Sequence, residues 1–261
     1  MVGRTLSVAA VVLFAGSVNA AIVDTLDFSQ GWGDLDTRTG GSSTLSSERP
    51  RNGNGSLRMA YDSAIAGTSQ AKASVIGGLG IGVPFGRVGD LVDGGSLTYD
   101  WYRDGSSTTV AYQFVQIKLH VANATGAPAL LVWEGVYNGI ANATTDAWVD
   151  DQETVDGNWW IRSGGTNFDV AGGFQSLNWF LQGNTVMNGG STSLVLDFDT
   201  VILGIELGVG SGLSGTFIGY ADDVTLAFGN GVSFNYNFEI PAPGAIALAL
   251  LAGVAGVRRR R

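Results

Sequence analysis

The feature that most constrains this chain is a polar–apolar alternation of period two, broken every few residues by glycine. Ser96-Leu97-Thr98-Tyr99-Asp100-Trp101 alternates throughout, and between Ala111 and Ala122 the apolar Val115, Ile117, Leu119 and Val121 share one face while Gln116, Lys118 and His120 share the other. A strand sends successive side chains to opposite faces, so this pattern belongs to half-buried strands. Further candidate strands are Thr25 to Phe28, Ser56 to Tyr61, Lys72 to Ile76, Ala129 to Tyr137, Trp159 to Arg162, Ser193 to Phe198, Val201 to Val209, Thr216 to Tyr220, Asp223 to Phe228 and Ser233 to Phe238. With 40 glycines in 261 residues and Asn, Asp and Ser between the strands, the pattern is that of an all-β sandwich or barrel. Helical spacing occurs at Gly173 to Gln182, through Phe174, Leu177 and Leu181. No fixed-period repeat points to a propeller or solenoid.

The two ends do not share this alternation. Residues 1–20 place Arg4 before an apolar run from Leu6 to Ala15 and close on Val18-Asn19-Ala20, the order of a signal peptide with its small-residue cleavage site. The mature chain is expected to start at Ala21. At the other end, Pro241-Ala242-Pro243-Gly244 precedes an apolar stretch from Ala245 to Val257, which is closed by Arg258, Arg259, Arg260 and Arg261. Such a stretch makes about 20 Å of helix, short of a hydrocarbon core of about 30 Å. Four arginines would hold its end on the cytoplasmic side. The domain division is therefore 1–20 signal peptide, 21–239 β-sandwich and 240–261 sorting or membrane segment.

The C-terminal residues resemble a PEP-CTERM sorting tail: a proline motif, a short apolar helix and a terminal arginine cluster. Ala242 stands where that motif has glutamate. The resemblance implies processing by an exosortase-type membrane protease and delivery to the cell surface or extracellular matrix, with at least transient tethering through the tail. A plain C-terminal membrane anchor is the alternative.

Without its ends the body is strongly acidic. Residues 21–239 carry 9 basic and 23 acidic side chains, a net charge of −14. That balance repels nucleic acid and anionic lipid and attracts divalent cations. The absence of cysteine removes disulfides, thiolate nucleophiles and zinc ribbons together.

Two stretches carry a second resemblance. The opening Asp27-Phe28-Ser29-Gln30-Gly31-Trp32 and the closing Ile218 to Leu226, with Asp222-Asp223-Val224 inside it, are similar to the first and last strands of laminin-B-type and carbohydrate-binding-module-type jelly-rolls. In those sandwiches an acidic residue near the first strand and the Asp of the last often share a structural calcium. The resemblance implies Asp27 and Asp222 as calcium ligands, with Asp223 as the alternate. Calcium takes six to eight oxygen ligands and would relieve repulsion between such carboxylates. Asp-Asp before a strand is also ordinary turn chemistry.

Catalytic constellations are missing from the sequence. His120 is the single histidine, which excludes a multi-histidine metal site and reads as a surface residue. No serine sits in a Gly-x-Ser-x-Gly elbow. The run Asp150-Asp151-Gln152-Glu153 is similar to the Glu-x-Asp-x-Glu strand of laminarinase-type glycosidases. Val149 occupies the nucleophile's position, and retaining hydrolysis needs two carboxyl groups about 5 Å apart.

Binding residues are better represented. Trp148, Trp159 and Trp160 stand among Asp150, Asp151, Asp156 and Asn158, and Tyr102, Trp133 and Tyr137 are further candidates. Indole faces pack on the C–H faces of sugars while Asp, Asn and Arg bond their hydroxyls. Any one of these tryptophans can equally fill a core. Trp159 and Trp160 are adjacent, so a regular strand sends them to opposite sides. The sequons at Asn54, Asn123 and Asn142 read as loop chemistry.

The expectation is thus a non-enzymatic, exported jelly-roll β-sandwich with one short helix, contacting extracellular polysaccharide and carrying a structural calcium. A passive envelope or matrix protein without a soluble ligand, and a glycoside hydrolase, are the alternatives.

Overall fold

The computed structural model describes residues 20–67, 71–163, 166–167, 173–188 and 192–241. All but the last residue of the signal segment, and Pro243 and Arg258 to Arg261 of the tail, lie outside the described residues. Pro241 ends the last described stretch, beside Ile22, Gly53 and Glu239. Among the described residues no helix is long and apolar enough to cross a membrane.

In chain order the strands are β1 (Ala21–Val23), β2 (Trp32–Asp34), β3 (Gly41–Ser46), β4 (Ser56–Asp62), β5 (Lys72–Gly77), β6 (Gly86–Arg87), β7 (Ser96–Arg103), β8 (Gln116–Ala122) and β9 (Pro128–Trp133). They continue as β10 (Trp148–Val149), β11 (Asn158–Ser163), β12 (Thr166–Asn167), β13 (Gln175–Ser176), β14 (Gln182–Asn188), β15 (Thr192–Asp197), β16 (Val201–Gly210), β17 (Thr216–Ala227) and β18 (Ser233–Phe238). One sheet runs β1-β18-β17-β4-β3, with β7 along the other edge of β17 and β10 on β7. The second runs β12-β11-β9-β8-β16-β5-β2, with β13 added to β11 and β6 to β16. The hairpin β14–β15 stands apart from both. Most pairings are antiparallel, while β1 runs parallel to β18. This is the expected jelly-roll β-sandwich.

The core lies between the sheets. Leu57, Met59, Tyr99, Trp101, Phe217, Val224 and Leu226 come from the first sheet, and Ile117, Leu119, Leu131, Trp133, Trp159, Ile205 and Leu207 from the second; all are buried. Their alternation with outward residues is the period-two pattern of the sequence.

β17 joins what the sequence suggests as two strands. Between Asp222 and Thr225 it carries one residue more than β7 does between Asp100 and Thr98. That bulge lets Phe217 and Ala221 before it, and Val224 and Leu226 after it, all face inward. Asp223 at the bulge has φ +48, and its N–H donates to Asp222 Oδ1 at 2.8 Å. Aspartate tolerates this left-handed conformation through such local bonding.

Three expectations change. The strand expected over Ala129 to Tyr137 stops at Trp133, and Gly135–Asn138 forms a single 3-10 turn. Thr25 to Phe28 is a turn, touched by a single bridge from Asp27 to Gly33, and its polar groups are used locally. Three short α-helices occur among the described residues: α1 (Ser63–Ala66), α2 (Val88–Val92) and α3 (Leu177–Leu181). Only α3 was foreseen, where Ser176 Oγ accepts the Trp179 N–H at 3.2 Å as N-cap. α1 and α2 are likewise single turns.

Candidate functional site

The outward face of the second sheet holds a buried ionic cluster. Along β16 the sequence Gly204-Ile205-Glu206-Leu207-Gly208 turns Ile205 and Leu207 inward and Glu206 outward between two glycines. Glu206 is 1 % exposed. Lys118 Nζ of β8 donates to its Oε1 at 2.7 Å, Ser74 Oγ of β5 donates to the same oxygen at 2.7 Å, and His120 Nε2 lies 2.8 Å from Oε2. Lys72 Nζ stands 3.5 Å from Oε1 and also 3.1 Å from Asp36. The chain contains two lysines and one histidine, and all three meet at this carboxylate. Gly208 makes room for them, since a Cβ there would come within 2.9 Å of Lys118 Nζ.

Electrostatics follow from this packing. Burial would push the Glu206 carboxyl up, but Lys118, His120 and Lys72 together hold it well below the usual carboxylate range. Burial lowers the Lys118 ammonium, and Glu206 opposes that shift.

Beyond β8 the same face becomes aromatic. A cleft of about 420 Å³ is lined by Tyr112, Gln113, Gln116, Glu134, Tyr137 and Trp160, among others. Tyr137 stacks on Phe174 with ring centroids 3.5 Å apart. Glu134 follows β9, and burial raises its carboxyl, against the field of Lys118. Gln113 is buried, its amide N–H donates to Phe114 O at 3.0 Å, and its Oε1 has no partner. A buried acceptor left unpaired is costly. The loop carrying Tyr112 and Gln113 is pinned by Arg103, whose guanidinium donates to the carbonyls of Val110, Gln113, Ser107 and Thr109.

The four sugar-contact candidates fall on two surfaces and in the core. Trp160 lies on the aromatic face just described. Trp159 turns the opposite way, is 0 % exposed and donates its indole N–H to Thr154 O at 3.0 Å. It packs the core and offers no face to a ligand. Trp148 and Tyr102 pair on the outer side of the first sheet, with Trp148↔Tyr102 in register. There Tyr102 is nearly buried, its hydroxyl between Arg49 and Asp146, and Arg51 sits over Trp148.

The acid run is structural. Asp150 pairs with Arg51 at 2.9 Å, the Asp151 N–H donates to Asp100, and Glu153 Oε1 accepts the N–H groups of Thr154 and Val155.

Each of the calcium candidates accepts hydrogen bonds within the fold. Asp27 Oδ1 accepts the Ser29 N–H at 2.9 Å within its own turn. Asp222 Oδ1 accepts N–H groups from Asp223 and Phe238, each at 2.8 Å. Asp223 accepts from Asn52. Among the described residues no group of three His, Cys, Asp or Glu converges as a metal site. One atom does suit a cation: Asp222 Oδ2 is buried without a partner.

Glu206, Lys118 and Glu134 were missed by sequence reasoning, and His120 was placed as a plain surface residue. The available signal was a glutamate between glycines in an otherwise apolar strand, since a charge in such a run needs a buried partner.

No family model matches the chain, and neither does any curated protein. Solved structures do resemble it. The family 11 carbohydrate-binding module of a cellulosomal cellulase of Clostridium thermocellum is 13% identical, with 87% of this chain and 100% of that chain covered and a TM-score of 0.35. A structure described for the promiscuous specificity of carbohydrate-binding modules of the β-sandwich superfamily is 14% identical, with 78% of this chain covered and a TM-score of 0.34; the chain spans 62% of its length. A cellulose-induced protein is 14% identical over 75% of this chain and 94% of that chain, with a TM-score of 0.32.

Proposed function

We propose that this chain is an exported, non-catalytic glycan-binding module whose ligand lies on the outer face of the second sheet, in the cleft of Tyr112, Gln113, Gln116, Glu134, Tyr137 and Trp160. The observation that carries this is a cleft in which the rings of Tyr112, Tyr137 and Trp160 stand beside the side chains of Gln116 and Glu134. A sugar's hydroxyls bond to such a carboxylate or amide while the ring's C–H face packs on an aromatic side chain. The solved carbohydrate-binding modules share the general sandwich and say nothing about the ligand of this chain.

Export rests on the sequence of the two ends, and delivery to the surface through exosortase-type processing rests on the tail. Mass spectrometry of the secreted protein tests both: a mature start at Ala21 and a trimmed tail are expected. A calcium ion belongs to this reading through Asp222 Oδ2 alone, and a calcium titration of the melting temperature tests it.

The glycan reading is tested with the purified protein on an array of plant and microbial polysaccharides, followed by titration calorimetry. Binding should be saturable, and Trp160→Ala and Glu134→Gln should each weaken it about tenfold or more, the loss of roughly 1.4 kcal/mol. A protein that binds no glycan, or a Trp160→Ala variant that binds as wild type, would sink the proposal and favour a passive envelope role.

A further inference from the structure

The aromatic cleft is one end of a longer row. Pairing registers place Trp160 beside Val132, Val132 beside Lys118, Lys118 beside Glu206, Glu206 beside Ile76 and Ile76 beside Gly33. Gly33 apart, their side chains stand on the outer face of the sheet, in one row across six strands whose middle members Val132, Lys118 and Glu206 are covered by their neighbours. At about 4.8 Å per strand, five steps make about 24 Å. The middle of that line is the Lys118–Glu206 pair.

Its far end is a second apolar depression of about 690 Å³, lined by Phe28, Ile76, Leu79, Ile81 and Leu203 with glycines between them. Phe28 dominates it. The side chain is 54 % exposed, and the residue is held at φ +68, where a bulky L-residue is strained. Bonds from its N–H to Trp32 O (2.7 Å) and from Gly31 N–H to its carbonyl (3.0 Å) fix that turn. Its ring lies against the bare backbone of Gly33, where any Cβ would come within 2.3 Å of it. The strain is thus spent on an aromatic ring that does not fill the core, and strain of this kind gathers at ligand sites.

We infer that Phe28 is a second aromatic platform on the same sheet face, so that the ligand is an extended polysaccharide chain crossing the strands from Trp160, over the Lys118–Glu206 floor, to Phe28. The inference rests on the glycan reading and adds to it a chain-length requirement and a second contact point. Gly33 is a condition of it, because only glycine leaves the ring its seat.

The test is a length series. Cello-, laminari-, xylo- and manno-oligosaccharides from disaccharide to hexasaccharide are titrated into wild type, Phe28→Ala, Ile81→Ser and Trp160→Ala. Within the series that binds, wild-type affinity rises with length up to the longer members. Phe28→Ala keeps the affinity for the short oligosaccharides and loses about tenfold for the long ones, Ile81→Ser shows a smaller loss of the same kind, and Trp160→Ala weakens every length. Phe28 and Ile81 are exposed, and circular dichroism with melting curves confirms that both variants are folded. Wild-type affinity independent of length, or Phe28→Ala and Ile81→Ser series superimposable on wild type, overturns the inference and leaves the Trp160 site standing. Failure of every series to bind wild type overturns the inference together with the glycan reading. Sedimentation with phosphatidylcholine–phosphatidylglycerol vesicles is run in parallel: vesicle binding lost in Phe28→Ala while the length series stays wild type also overturns it, in favour of a lipid surface.

Discussion

Lys118 Nζ lies 2.7 Å from Glu206 Oε1, and both side chains are nearly covered although they stand on the outer face of a sheet. Removing one partner of a buried pair leaves the other charge without compensation, at about 3–5 kcal/mol. Lys118→Met is expected to cost in that range by urea unfolding, less whatever Lys72 and His120 recover by holding Glu206. The double variant Lys118→Met/Glu206→Leu should regain most of the loss.

The pH profile of stability has two limbs. Asp36 is lowered to about 2, first by Arg38 and further by Lys72, and Glu206 is also held low. A carboxyl with a depressed folded pKa contributes above its unfolded pKa, so stability falls as pH drops below about 4. Asp222 acts oppositely, because burial raises it to about 8 from 3.8. Its folded form keeps a proton that the unfolded chain has released, so stability falls as pH rises from about 4 through about 8. Melting temperatures in chelator should decline over that interval, and Asp222→Asn should flatten the decline.

Adjacent tryptophans should separate stability from binding. Trp159→Ala empties a core position and is expected to cost about 3–5 kcal/mol. Trp160→Ala should cost about 1 kcal/mol and abolish most glycan affinity. Trp148→Ala, on the outer side of the other sheet, should leave affinity unchanged. Equilibrium unfolding and calorimetry on the three variants check this.

Arg103→Met removes the guanidinium that gathers four carbonyls of the 107–113 loop. Unpaired buried carbonyls should cost about 2–3 kcal/mol. Because Tyr112 and Gln113 ride on that loop, glycan affinity should fall with it, while Arg103→Lys, which keeps a donor, should fall between wild type and Met.

Much of the fold was legible. The faces of β8 were read correctly down to Gln116, Lys118 and His120 opposite Ile117, Leu119 and Val121, because a strand's period is a property of consecutive residues. The opposite orientations of Trp159 and Trp160 followed from the same rule, although which one faced the core did not. The bulge at Asp223 was hidden, since one extra residue shows only against the partner strand.

The candidate site was far less legible. Its members come from β5, β8, β9, β11 and β16 and from the loops before β2 and β8. No spacing in the sequence announces that Glu206 meets Lys118 from 88 residues away or that Phe28 shares a face with Trp160.

What the sequence by itself determined is local: alternating strands, glycine-rich turns, an acidic body without cysteine, and two ends of different character. Backbone geometry translates those patterns directly into facing and burial. Only the tertiary structure decided which outward residues stand together, because strand order is set by the packing of two whole sheets. That order put both lysines and the single histidine around Glu206, Trp160 in one cleft with Tyr112, Tyr137 and Glu134, and Trp159 in the core, where its indole is lost to any ligand.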